Sequence, residues 1–151
     1  METTDDRRGV FVDTNILIYA SIRNSPFHQL AHDAIRGLEK ENVELFISRQ
    51  ILREYLASMT RPDMLTKELS RASVIEAVRH FEEDFTVFND EPGVTEQLLE
   101  LVETVSVGGK QIHDTNIVAT MLVNEVHELL THNVSDFKRF SPYIEIIPLV
   151  A

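Results

Sequence analysis

Four acidic residues stand where a chain of this kind would rarely leave a charge without a purpose. Asp13 closes the apolar run V10-F-V-D-T-N15, Asp114 lies in I112-H-D-T-N116, and Asp136 ends T131-H-N-V-S-D136 before Phe137. Glu54 sits in the otherwise apolar segment I51-L-R-E-Y-L56. An ionised carboxylate at the edge of a core is costly unless it is compensated. Four in one small domain point to a shared compensator, and carboxylates held together would take up protons without a cation. The chain has no cysteine, so thiolate zinc sites, disulfides and thiol nucleophiles are excluded. Oxygen-only ligation favours Mg²⁺ or Mn²⁺, as one ion or two. The chemistry that follows is hydrolysis of a phosphodiester by water, with no covalent nucleophile. Asn15 and Thr131 are suited to hold the ligating carboxylates by hydrogen bonds, and Asn133 is a further residue of that kind or a substrate contact.

The elements that must position these acids are legible from periodicity. Residues 10–12 read as a short buried strand opening into a helix over 15–22, with Asp13 or Thr14 as cap. Helices are expected over 26–40, with Pro26 in the first turn, and after Ser48, where Ile51, Leu52, Tyr55, Leu56 and Met59 recur until Pro62. Further helices are expected over 67–84, 95–105 and 111–125, and a helical turn over 134–140. Strands fall over 43–47, 86–88, 128–131 and 144–149. Alternating strands and helices imply a three-layer α/β/α sandwich around a central, mainly parallel sheet. Ligands of such folds gather at the carboxyl ends of the strands, where Asp13 and Asp136 fall.

At 151 residues the chain fits one domain, with residues 1–8 as a polar leader and 9–151 as the domain. No apolar run is long enough to span a bilayer, and the cytoplasm is the default compartment. The formal charge is −11, from 25 acids and 14 bases, which argues against broad duplex binding. The distribution is uneven. No Lys or Arg lies between Arg79 and Lys110, a stretch with Glu82, Glu83, Asp84, Asp90, Glu91, Glu96, Glu100 and Glu103. Six bases fall within 49–79, so a substrate strand is expected over that region, with Arg49 and Arg53 as phosphate contacts. The acidic surface is left to solvent or to a basic partner.

Blander readings stand beside these. Asp13 and Asp114 are placed to cap helices, and simple ion pairing with Arg49, Arg53 or Lys40 is the alternative for Glu54. His113 suits a surface role, and His28 and His32 lack the surroundings of a metalloprotease helix. Gly108-Gly109 is a loop and not a phosphate cradle. Tyr19 and Tyr55 read as core or interface residues.

The stretches V12-D-T-N15, S48-R-Q-I-L-R-E54, H113-D-T-N-I117 and T131-H-N-V-S-D-F137, in that order, closely resemble the PIN domain, in particular the VapC-like toxin ribonucleases of type II toxin–antitoxin systems. By that resemblance Asp13, Glu54, Asp114 and Asp136 form an acidic quartet, Thr131 is the hydroxyl residue beside it, and Asn15 the polar residue after the first acid. The resemblance implies Mg²⁺- or Mn²⁺-dependent cleavage of RNA, homodimers and an antitoxin partner. Two other readings keep the residues and change the role: a PIN-like module that binds a partner without catalysis, and a phosphohydrolase of small phosphoesters.

Overall fold

The computed structural model describes residues 7–151. Five strands, β1 (Gly9–Val12), β2 (Glu44–Ser48), β3 (Thr86–Phe88), β4 (Glu128–Thr131) and β5 (Glu145–Pro148), form one sheet in the order β3-β2-β1-β4-β5. Every pairing is parallel. Val10, Phe11 and Val12 are all fully buried. Successive strand residues point to opposite faces, so both faces of the sheet are covered. The covering helices are α1 (Thr14–Ser21), α2 (His28–Lys40), α3 (Arg49–Met59), α4 (Arg71–Asp84), α5 (Pro92–Thr104) and α6 (Gln111–Val123), with a single turn α7 (Val134–Phe137) after β4. Helix α1 packs on α2 and α3, α3 on α4, and α5 on α6. The expected α/β/α sandwich with a central parallel sheet is the observed architecture.

The topology singles out one place. From β1 the chain steps outward through β2 to β3, then returns across the sheet to lay β4 on the other side of β1. The crevice at a reversal of strand order is where open parallel sheets bind ligands. Here it lies beyond the ends of β1 and β4, bounded by Asp13 and Thr131.

Several boundaries differ from the sequence-based expectation. The helix expected over 67–84 starts at Arg71, because the Ser70 side chain accepts from the Ser73 N–H and caps it. Just before it the chain turns back, with Thr66 N–H donating to the Leu69 carbonyl. Pro26 precedes α2 and does not occupy its first turn. Helix α5 begins at Pro92, whose missing N–H suits the first helical position. The turn expected over 134–140 is α7 followed by a 3₁₀ turn over Lys138–Phe140. Of the leader expected over 1–8, residues 1–6 lie outside the described residues. Arg8 pairs with Glu128 at 2.8 Å and with Glu41 at 3.4 Å, and its carbonyl accepts from the Glu44 N–H. No helix among the described residues is long and apolar enough to cross a membrane.

Candidate active site at the carboxyl ends of β1 and β4

Asp13 is the best-held side chain of the site. Its backbone N–H donates to the Leu130 carbonyl at 3.0 Å, one step past the β1–β4 ladder, which anchors the residue at the sheet edge. Oδ1 accepts from the Thr14 N–H at 2.8 Å, so Asp13 also caps α1. Oδ2 accepts from the Thr131 hydroxyl at 2.7 Å and from Asn15 Nδ2 at 3.1 Å. Thr131 cannot turn its hydroxyl proton elsewhere, since the Asn133 N–H at 3.0 Å and Asn15 Nδ2 at 3.3 Å both donate to Oγ1. Asn15 Oδ1 accepts from the His132 N–H at 3.1 Å, which ties α1 to the segment after β4. Burial of Asp13, only 5% exposed, pushes its carboxyl up to about 6. Glu54 adds to the rise, and the bonds from Thr131, Thr14 and Asn15 oppose it.

Glu54 is carried on α3, whose start is capped by Ser48 accepting from the Ile51 N–H. Its Oε1 accepts from the Thr14 hydroxyl at 2.7 Å and its Oε2 from Gln50 Nε2 at 3.0 Å. Gln50 is itself buried. The same Nε2 donates to the His113 carbonyl at 2.8 Å, and Gln50 Oε1 accepts from Asn116 Nδ2 at 2.8 Å. One amide thus joins α3 to α6. Glu54 forms no ion pair among the described residues, so the pairing with Arg49, Arg53 or Lys40 does not account for it.

Asp114 lies in the first turn of α6 and does not cap it; Lys110 holds the cap position without a side-chain bond. Gly109, at φ +59°, makes the turn into this helix, and Gln111 Oε1 accepts from the Gly108 N–H. The Asp114 carboxyl is pushed up to about 7, first by burial and then by the charges of Asp13, Asp136 and Glu54, with Arg139 opposing. Asp136, on α7, is exposed. Neither Asp114 nor Asp136 accepts a side-chain hydrogen bond or forms an ion pair within 4 Å among the described residues.

The structure therefore brings Asp13, Glu54 and Asp136 near enough to Asp114 to raise its carboxyl, and Glu54 near enough to Asp13 to do the same. They do not close into a cage: among the described residues no three His, Asp or Glu side chains are grouped tightly enough to ligate an ion as they stand. The donor set nevertheless suits a hard cation, being all oxygen, with two carboxyls displaced toward the protonated form by burial first and by neighbouring carboxylates second. The Asn133 side chain is exposed and makes no hydrogen bond among the described residues; its backbone N–H is what reaches Thr131. Arg49 pairs with Glu82 at 2.6 Å and donates to Asn89, and Arg53 pairs with Asp90 at 3.0 Å. Part of the acidic stretch is thus folded onto the two arginines. His132 packs its ring on Phe27 and Tyr19, with centroids 4.4 and 5.6 Å away.

Thr14, Gln50 and Asn116 are the residues that sequence reasoning passed over. Gln50 stands one helical turn before Glu54, a spacing at which side chains meet, and that was the available signal.

The PIN domain family model matches residues 10–141. Ribonuclease VapC24 of Mycobacterium tuberculosis is 24% identical over 134 residues, covering 85% of this chain and 89% of that protein. Among solved structures, VapBC2 from Rickettsia felis, bound to a DNA fragment from its promoter, superposes with a TM-score of 0.71 at 19% identity, over 93% of this chain and 98% of that one. VapBC-1 from nontypeable Haemophilus influenzae gives 0.69 at 20% identity, over 95% and 99%. These structures share the fold, and the family match spans all four acids and the hydroxyl that holds the first of them: the chain belongs to the PIN domain family.

Proposed function

We propose that this protein is a Mg²⁺- or Mn²⁺-dependent endoribonuclease and the toxin of a toxin–antitoxin pair. The observation that carries the reading is the gathering of Asp13, Glu54, Asp114 and Asp136 at the switch point of the sheet, where burial first and the other three acids second raise Asp114. Asp13, Asp114 and Asp136 would hold the cation directly, with Glu54 as the fourth acid. A bound divalent ion lowers the pKa of water and neutralises charge developing on a phosphoryl group.

The chain's own residues supply the rest. Thr131 and Asn15 fix both the position and the rotamer of Asp13, so its lone pairs are aimed before anything binds. Thr14 and Gln50 do the same for Glu54, fixing the orientation of its two oxygens. Burial of Asp13 excludes bulk water from one side of the reacting centre, where electrostatic interactions gain strength. Arg49 and Arg53, on the outer side of α3, would receive the phosphates of the incoming strand once released from Glu82 and Asp90. The resemblance to VapC proteins extends the proposal to a homodimer and to a small antitoxin as partner.

A labelled RNA oligonucleotide tests the reading. Cleavage is expected with Mg²⁺ or Mn²⁺ and is expected to vanish with chelator and in Asp114→Asn. Undiminished cleavage under either condition would refute the metal assignment. Faster turnover of a small phosphomonoester than of RNA would move the protein to a different class of hydrolase. Co-expression with the product of an adjacent short reading frame, followed by loss of cleavage in the complex, is the expected behaviour of the antitoxin.

A further inference from the structure

A cleft of about 410 Å³ opens beside Glu54 and Gln50, between α3 and the α5–α6 pair. That volume lies within the range of about 300–1,000 Å³ seen for small-ligand sites. Its apolar walls are Ala57, Leu98 and Ile112, and its polar groups are Arg53, His113 and Asn116. Building on the ribonuclease reading above, we infer that this cleft is a base-recognition subsite. It takes the nucleobase of a nucleotide flanking the scissile phosphate, with the Asn116 carboxamide against the edge of the base and Arg53 on its phosphate.

The hydrogen bonds fix what Asn116 offers. Gln50 Nε2 faces a carboxylate and a carbonyl, both acceptors, so the opposite atom of that amide must be the oxygen. Asn116 therefore meets it with Nδ2. The Asn116 Oδ1 and its second Nδ2–H make no hydrogen bond among the described residues, although the side chain is partly buried. An acceptor and a donor side by side are the complement of a base edge that presents the reverse pair. Apolar walls with a few polar groups are how enzymes acting on nucleic acids hold an unstacked base. The cleft also has a cation suited to a phosphate. Among the described residues Arg53 is bound to Asp90 alone, and both side chains are more than half exposed, so that pair exchanges readily. Continuity with Glu54 argues for a substrate nucleotide over a distant ligand.

Methyl-resolved spectra of Ala57, Leu98 and Ile112, titrated with each of the four nucleoside 5′-monophosphates, test the assignment. At least one nucleotide is expected to move these methyls, inorganic phosphate is not, and Ala57→Leu, an exposed helical position tolerant of leucine, is expected to abolish the shifts. In RNA cleavage the same variant should raise KM by about tenfold with kcat within about twofold, the mark of lost uniform binding. Methyls unmoved by every nucleotide, or moved equally by phosphate alone, would overturn the subsite. So would shifts that follow protein concentration, which would mean that a second copy covers the cleft. Failure of the nuclease reading is separately recognisable: no Mn²⁺ broadening near Asp114 and no cleavage by the wild type, neither of which the nucleotide titration reports.

Discussion

The two halves of the acidic site are built on opposite principles. Asp13 and Glu54 are closed in: between them they accept five side-chain or backbone hydrogen bonds from Thr14, Asn15, Gln50 and Thr131. Asp114 and Asp136 accept none from side chains among the described residues, yet Asp114 is the more strongly raised of the two displaced acids. One half is organised by the protein. The other accepts no side-chain hydrogen bond among the described residues. On the proposed reading, the preorganised half would set where an ion is held and the open half would admit it.

Catalysis should respond most, and alike in both halves. A cation contributes several kcal/mol to a phosphoryl transition state, which corresponds to roughly 10³-fold in rate. Asp13→Asn and Asp114→Asn are each expected to lose at least that in single-turnover cleavage. A variant from the open half that retained most of the activity would confine the chemistry to Asp13 and Glu54.

Stability should separate the halves. In the unfolded chain both acids ionise near their ordinary value of 3.8; in the folded, metal-free protein they keep their protons until about 6 and about 7. The folded state therefore binds more protons across that interval, and its stability is fully present below pH 4 and falls as pH rises toward 7. Asp114→Asn removes the larger part of this loss and is expected to stabilise the metal-free protein at pH 8 by about 1–2 kcal/mol, after discount for its partial exposure. Asp13→Asn gains no such benefit. Its amide would set an N–H against Asn15 Nδ2 and the locked Thr131 hydroxyl, at a cost of about 1–3 kcal/mol that offsets the relieved charge. Urea unfolding with EDTA at pH 5 and pH 8 measures both. Equal gains in the two variants would mean that the two halves do not differ in this way. Mn²⁺ affinity should also weaken as pH falls through 7 to 6, because protons compete for the same oxygens; calorimetry that found pH-independent affinity would count against the acids as ligands.

How far the sequence reveals this site depends on the range of each interaction. The strands and the four acids are set by local pattern: an apolar run ending in Asp13, an acid alone on an apolar helix face at Glu54. Helix starts are decided by caps, and Ser70 outweighed the apolar periodicity that suggested a helix from 67. Gln50 resisted reading for another reason. An amide one turn from an acid is common on solvated helices, and its meaning here comes from the His113 carbonyl and Asn116, more than 60 residues away in sequence. Charge segregation misled in part as well. The acidic stretch after residue 79 reads as a free surface, yet Glu82 and Asp90 fold back onto the arginines assigned to phosphate.

Gln50 offers a smaller effect that probes the closed half. Gln50→Leu keeps the volume near the apolar neighbours of α3 but frees Glu54 Oε2 and breaks the link to α6. Losing a residue that orients a metal-site carboxylate typically costs about 10–100-fold in affinity or activity, and that range is expected in kcat. Activity unchanged within about twofold would mean that Thr14 alone holds Glu54 in place.

The smallest effect is expected at the outer face of α3. The pairs Arg49–Glu82 and Arg53–Asp90 are largely exposed, with side-chain exposures of 40–61%, and pairs of this kind contribute about 0–1 kcal/mol to stability. Glu82→Gln with Asp90→Asn should therefore leave the unfolding midpoint nearly unchanged. The arginines would no longer have to leave a carboxylate before meeting a phosphate, so KM for RNA should fall by a few-fold, and more at low salt than at high. If instead the double variant unfolds early, the acids serve the packing of α4 and the β3–α5 loop on α3, and substrate phosphates must be met elsewhere. A KM that is unmoved at every salt concentration would show the arginines to be structural, and would shift the path of the strand toward Arg139, the cation already felt by Asp114.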